Sequence, residues 1–241
     1  MTAKTSKTAA PRPIETLRQE IDALDDALLD LVEKRLLLSK SIASAKSAED
    51  DRHLMIRPRR ERELIERLSG RTRAVPKASV SAIWRELMSL NLQSQRSTEL
   101  ALCADERRMH VADQARRRFG TVAPMVEVAK PEAALERART RETIAIIELN
   151  PKADWWTVLA DDSDLVIFDA LREEGGWVTA IVVGRLDASH VPEDRRYCVV
   201  SADELLARVT QGEPICPLAS AGEWRLCLTD LSSVDALSNA A

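Results

Sequence analysis

Apolar residues recur along residues 14–46 at Ile14, Leu17, Ile21, Leu24, Leu28, Leu31, Leu38, Ile42 and Ala45. From Leu17 onward the steps alternate four and three, which is a heptad seam. Neither Pro nor Gly interrupts it, and Pro13 suits a first helical turn. One helix of about 50 Å is expected, at ~1.5 Å per residue. A compact small domain cannot cover that length, so the seam is expected to pack against another chain. Residues 47–56 lose the period and read as a loop. A short helix follows Pro58, with Leu64, Ile65 and Leu68 on one face and Gly70 as its stop. A third helix is expected from Lys77 to Leu100, striped by Val80, Ile83, Trp84, Leu87 and Leu90.

The texture changes after residue 105. β-rich runs occur at Thr143–Leu149, Leu165–Phe168, Trp177–Val183 and Tyr197–Val200, with a weaker one at Arg225–Leu228. Helical patterns lie between and around them at Ala112–Phe119, Glu132–Arg139, Trp155–Ala160 and Ala202–Val209. Such alternation predicts an α/β domain. The organisation expected is a disordered tail over 1–12, a helical domain over 13–100 and a small α/β domain over 105–236.

Charge sharpens this division. Residues 1–100 hold 19 Lys/Arg against 15 Asp/Glu, a net of +4, whereas residues 101–241 hold 16 against 24, a net of −8. An anionic partner is therefore expected for the first part. Seven glycines and 3% aromatics argue against a Gly-rich phosphate loop or a many-turned all-β fold. No apolar run approaches the ~20 residues of a membrane span. No apolar h-region follows Met1, so no secretory signal is expected. Cys103, Cys198, Cys216 and Cys227 form no C-x-x-C pair and read as reduced thiols of a cytoplasmic protein. His53, His110 and His190 are far apart and carry no metal-ligand spacing, so no metal or cofactor is expected.

The seam contains an anomaly: the position one step after Leu31 is Arg35. A guanidinium on an apolar stripe is expensive unless it meets an anion. Lys46 returns to nearly the same face three turns on. These cations either reach toward one small molecule or break the seam to fix its register. The third helix ends its stripe in Asn91 and Gln95, which either face a polar interior or mark a solvated helix end. Arg57, Arg59, Arg60 and Arg62 crowd the start of the short helix, where backbone amides already favour anions. They form either an anion site or a solvated basic face.

Together these residues resemble the all-α class of chorismate mutase. The resemblance runs over about residues 14–98. It is carried by Leu17-Arg18, Ile21-Asp22, Leu24-Asp25, Leu28-Leu29, Leu31, Arg35, Lys46, Arg60-Glu61-Arg62-Glu63-Leu64-Ile65, and Trp84 through Gln95. It departs from the family at Arg57, where an acidic residue is often found, at Asn91, often Ser, and in a loop about two residues longer.

The resemblance implies an intertwined homodimer of three-helix chains that converts chorismate to prephenate without nucleophile, metal or cofactor. It implies that Arg35 and the first arginine, Arg18, borrowed from the partner, hold the two carboxylates. Lys46 and Gln95 would donate to the ether oxygen, and Glu61 would bind the ring hydroxyl. Arg60 would sit at the hydroxyl end and Asn91 near a carboxylate. Arg18 lies about 25 Å along the helix from Arg35 and cannot share a small ligand with it in one chain. An antiparallel partner helix could supply it.

Residues 110–122 and 132–150 faintly resemble a prephenate dehydratase domain. The Gly-Pro-x-Gly-Thr and Thr-Arg-Phe motifs are missing, so a shortened, inactive relative is expected. Trp155, Trp156 and Trp224 read as core or interface residues. Another enzyme of the pathway is a candidate to dock on the chain. The rival readings are a non-catalytic helical dimer whose α/β domain binds a small molecule or partner, and a lyase acting on isochorismate. A nucleic-acid binder using Arg57–Arg73 is disfavoured, because no aromatics interleave the arginines.

Overall fold

The computed structural model describes residues 12–44, 52–150, 152–173 and 175–230. Three helices come first: α1 (Ile14–Ser44), α2 (Pro58–Ser69) and α3 (Lys77–Gln95). A strand-rich α/β region follows. Its elements are β1 (Glu99–Cys103), α4 (Arg108–Phe119), β2 (Met125–Glu127), α5 (Pro131–Ala138), β3 (Thr143–Glu148), β4 (Val166–Arg172), β5 (Val178–Gly184), β6 (Arg195–Ser201), α6 (Ala202–Thr210), β7 (Ile215–Ala221) and β8 (Trp224–Asp230). The Trp155–Ala160 stretch is a 3₁₀ turn. The expected tail, Ala45, Lys46 and residues 231–236 fall on or beyond the edges of the described residues, apart from Arg12.

Helix α1 packs against α3 and buries none of its own residues. Its seam residues from Leu17 to Ile42 are exposed, between 39% at Leu17 and 62% at Leu24. Broken only at Arg35, that is a long apolar stripe on a helix, the kind of surface that marks a contact site. Helix α2 opens with Pro58 at its start, where no backbone N–H is needed, and ends at Gly70.

The third helix stops at Gln95, not at Leu100 as the pattern suggested. Arg96 turns extended, and the Gln93 side chain then acts as a substitute strand. Its Nε2 donates to the Thr98 carbonyl at 2.7 Å and its Oε1 accepts from the Thr98 N–H at 3.0 Å. The chain enters β1 directly. The α/β region therefore begins at Glu99, ahead of the change in texture at residue 105.

Five strands form a mixed sheet in the order β2-β1-β3-β5-β4. The pairs β1–β2 and β1–β3 are parallel, and β3–β5 and β4–β5 are antiparallel. Both faces are covered, so the strands read as continuous apolar runs. On one face Leu100, Leu102, Ile144 and Ile146 pack with Val111, Ala115 and Phe119 of α4. On the other, Ala145, Ile147, Ile181 and Val183 pack with α5, Trp155, Trp156 and the inner face of a three-stranded sheet ordered β6-β8-β7. Trp155 and Trp156 are thus core residues, and Trp224 packs against the same core.

The loop before α2 does more than connect. Leu54 and Ile56 are buried in the α4-side core, and the Leu54 N–H donates to the Arg185 carbonyl at 2.8 Å. The segment that delivers α2 is thereby anchored in the α/β region. A second tie joins α3 to the end of α4: the Glu86 carboxylate accepts from the Thr121 N–H at 3.0 Å and from its hydroxyl at 3.2 Å.

Candidate active site

A cavity of about 460 Å³ opens between the three helices. Helix α1 contributes Arg35, Leu38, Ser39 and Ile42, because steps of three and four keep those positions on one face. Arg57, Arg60 and Glu61 come from the start of α2, and Asn91 and Gln95 from the last turns of α3. The amides Asn91 and Gln95 are half-buried cavity residues, so the alternative of a solvated helix end is removed.

Each side chain is held differently. Arg35 Nη1 donates to the Leu87 carbonyl at 3.0 Å, which ties α1 to α3. Partial burial of its guanidinium pulls the pKa below that of a free arginine. An arginine that ordinarily titrates above ~12 stays cationic at neutral pH. Gln95 Nε2 donates to the Ser39 hydroxyl. Arg57 Nη1 donates to the carbonyls of Leu54 and Ile56, at 3.3 and 3.4 Å. It is thus partly engaged by the loop that delivers it. Arg60 is exposed at the cavity edge. Glu61 Oε2 accepts from Arg118 Nη1 at 2.9 Å.

Six of the eight residues singled out in the sequence therefore share one cavity: Arg35, Arg57, Arg60, Glu61, Asn91 and Gln95. Arg18 does not join them. It stands exposed near the start of α1 and pairs with Glu15 at 2.7 Å. Lys46 lies outside the described residues. The sequence reading missed Ser39, Met55 and Met88. Ser39 could have been found, since it stands one helical turn after Arg35.

Two other arginines at the start of α2 are engaged by acids of the α/β region. Arg59 pairs with Glu193 at 3.2 Å, and Arg62 pairs with Asp194, both acids coming from the loop before β6. The cavity's own charged lining is three arginines against one carboxylate. Such a lining suits a small anion carrying more than one negative charge, gripped by forked guanidinium donors. Hydrophobic walls from Leu38, Ile42, Leu64, Met88 and Leu92 would enclose an apolar ring.

A second cavity, of about 610 Å³, lies at the carboxyl ends of β1 and β3, lined by Cys103, Arg108, Glu127, Glu148, Asn150 and Trp155 among others. Arg108 and Glu127 of its lining pair with each other at 2.9 Å, and Glu148 pairs with Arg107, just outside the lining, at 3.0 Å. No helix among the described residues is long and apolar enough to cross a membrane.

Residues 17–96 match the family model described as chorismate mutase type II. The match ends one residue after α3 and includes every residue that lines the 460 Å³ cavity. Comparison with curated proteins and with solved structures returned no match.

Proposed function

From the chorismate mutase type II domain at residues 17–96, we propose that this chain is a cytoplasmic chorismate mutase of aromatic amino-acid biosynthesis. It rearranges chorismate to prephenate. What supports this reading above all is the single cavity that gathers Arg35, Arg60, Glu61, Asn91 and Gln95 from three helices.

The reaction is pericyclic: one C–O bond breaks and one C–C bond forms within a single molecule. It needs no nucleophile and no external base. The substrate is a dianion, and its flexible side chain must fold over the ring. Arg35 takes one carboxylate in a forked grip, and Arg18 of the partner subunit takes the other. Holding both ends converts a floppy reactant into a near-attack conformer. Negative charge grows on the ether oxygen as the C–O bond stretches. Gln95 Nε2 and the Lys46 ammonium donate to that oxygen, and donors already aimed at developing charge act without reorganisation. Glu61 accepts from the ring hydroxyl, Arg60 supports that end, and Asn91 borders a carboxylate. Arg57 adds positive charge to the same wall.

Two copies are required, because Arg18 and Arg35 are about 25 Å apart along one helix. The exposed seam of α1 is the surface on which the second copy packs. The α/β region, read as a shortened relative of a dehydratase domain, performs no dehydration.

The test is direct. Purified protein is mixed with chorismate, and chorismate loss and prephenate formation are followed. Turnover in the wild type with a loss of at least about 100-fold in Arg35→Ala is expected, as for removal of a transition-state contact. No turnover in the wild type overturns the reading.

A further inference from the structure

We propose that Arg118, on α4 of the α/β region, is a positioning residue for Glu61 and so sets the hydroxyl-binding end of the mutase cavity from outside the mutase domain. The inference rests on the mutase reading above.

Arg118 stands between two carboxylates. Its Nη1 donates to Glu61 Oε2 at 2.9 Å and its Nε to Asp169 Oδ2 at 2.5 Å. The Phe119 ring lies against the guanidinium, 4.8 Å from centroid to carbon. The arginine side chain is 14% exposed and Glu61 17%. Asp169 is itself fixed, because its Oδ1 accepts from the Ala170 N–H at 2.9 Å, beside the register shift in β4. A rigid strand thus holds Asp169, Asp169 holds Arg118, and Arg118 holds one oxygen of Glu61. The other oxygen, Oε1, has no hydrogen bond within the described residues.

Glu61 also lies on the boundary of two cavities. One is the helical cavity already described. The other, of about 290 Å³, is lined by Arg62, Arg85, Arg118, Phe168 and Asp169. The carboxylate therefore has a choice of cations. On one side stands Arg118, and on the other are Arg35, Arg57 and Arg60 of the substrate cavity. At low dielectric a carboxylate is drawn strongly to whichever cation it can reach. Were Glu61 to swing into the substrate cavity, it would neutralise a cation that an anionic ligand needs. Arg118 prevents this and leaves Oε1 facing the ring hydroxyl.

The geometry makes a distinctive demand on kinetics. Loss of Arg118 should weaken substrate binding more than it slows the bound complex. A fold merely damaged by the change would lower the active fraction, and so kcat, while leaving KM unchanged. The experiment uses the full chain with chorismate as the probe. Arg118→Met is expected to raise KM by about tenfold, with a smaller fall in kcat. Arg118→Lys is expected to recover part of the loss, as a point charge can hold Glu61 but cannot fork to both carboxylates. In a Glu61→Gln background, Arg118→Met should change KM by less than about twofold, since no charge remains to be held. Should Arg118→Met not accumulate folded, Arg118→Gln carries the same readout.

An unchanged KM in the single variant overturns the inference, as does a full KM effect in the Glu61→Gln background. Either result leaves the mutase reading standing if the wild type turns over. A wild type without turnover overturns both.

Discussion

Gly120 approaches Ser89 so closely that a Cβ at position 120 would lie 2.5 Å from the Ser89 Cβ. This contact seats the end of α4 against α3, one residue beyond Phe119 and two beyond Arg118. Gly120 also has φ +80 with ψ 172, a region closed to other residues. The position thus joins a conformational demand to a steric one. Gly120→Ala should cost about 3 kcal/mol, adding backbone strain to overpacking. Denaturant unfolding measures it. A loss below about 1 kcal/mol would mean that the α3–α4 contact yields easily and that the α/β region does not hold the helical cavity rigidly.

Legibility in the sequence followed the physics of each element. Helix α1 could be read because its seam runs through more than seven turns without Gly or Pro, and Arg35 stood out against that regularity. β1 could not be read. Glu99-Leu100-Ala101-Leu102-Cys103 is a short apolar run buried on both faces, and such a run shows no alternation to separate it from a helix end. β2 is three residues long. β7 carries Pro217, which suits only its place as an edge strand beside a register shift. Within the cavity, Arg35, Asn91 and Gln95 stood out by their spacing on one helix, Arg57 and Arg60 by the charge crowded at the start of α2, and Glu61 was given a role only by the family resemblance. Arg118 could not be read, because its partnership with Glu61 spans 57 residues and exists only through the packing of α4 on the sheet.

Glu148 gives the α/β region an acid-sensitive joint. Burial alone would raise its pKa, but the Arg107 guanidinium and the N–H groups of Asp105 and Arg107 outweigh burial and hold it below the usual carboxylate range. The folded state therefore gains stability from ionised Glu148 above the unfolded pKa of ~4.3, and loses it as pH falls through the lower folded value. Glu148→Gln should destabilise by about 1–2 kcal/mol at pH 7, the scale of a charge-assisted hydrogen bond. The gap to wild type should close as pH falls below 4. A gap that stays constant from pH 7 to pH 3 would show that the carboxylate charge contributes nothing.

The four thiols should separate cleanly by reactivity. Burial raises the pKa of Cys103, Cys198 and Cys227, and Cys227 is pushed up to about 12 by burial together with its neighbours Cys198 and Cys216. The thiolate is the reactive form, so these three should label slowly at neutral pH. Cys216 is exposed on β7. A disulfide-exchange reagent at pH 7.5 should modify one thiol rapidly in the folded protein and all four after denaturation. Rapid loss of Cys227 would contradict its position in the small sheet.

If Arg18 of one chain is to meet Arg35 of the other on antiparallel helices, the two α1 helices must cross midway between those positions, near Asp26 and Ala27. The seam residues on either side of that point are Leu24 and Leu28, 62% and 58% exposed in the single chain. Charges placed there face each other at the crossing. Leu24→Glu with Leu28→Glu should convert the proposed dimer to monomer, seen by sedimentation velocity. Activity should fall by at least about 100-fold, because each site loses a carboxylate clamp. Mixing provides the positive counterpart. An Arg18→Ala chain and an Arg35→Ala chain are each expected to be nearly silent. In their heterodimer one site keeps both arginines and the other keeps neither, so about a quarter of wild-type activity should return in a statistical mixture of the two chains. The quarter follows from random pairing, in which half the dimers are mixed and each has one complete site of two. Verified heterodimers that stay silent would rule out a site shared between copies, even if the wild type turns over chorismate.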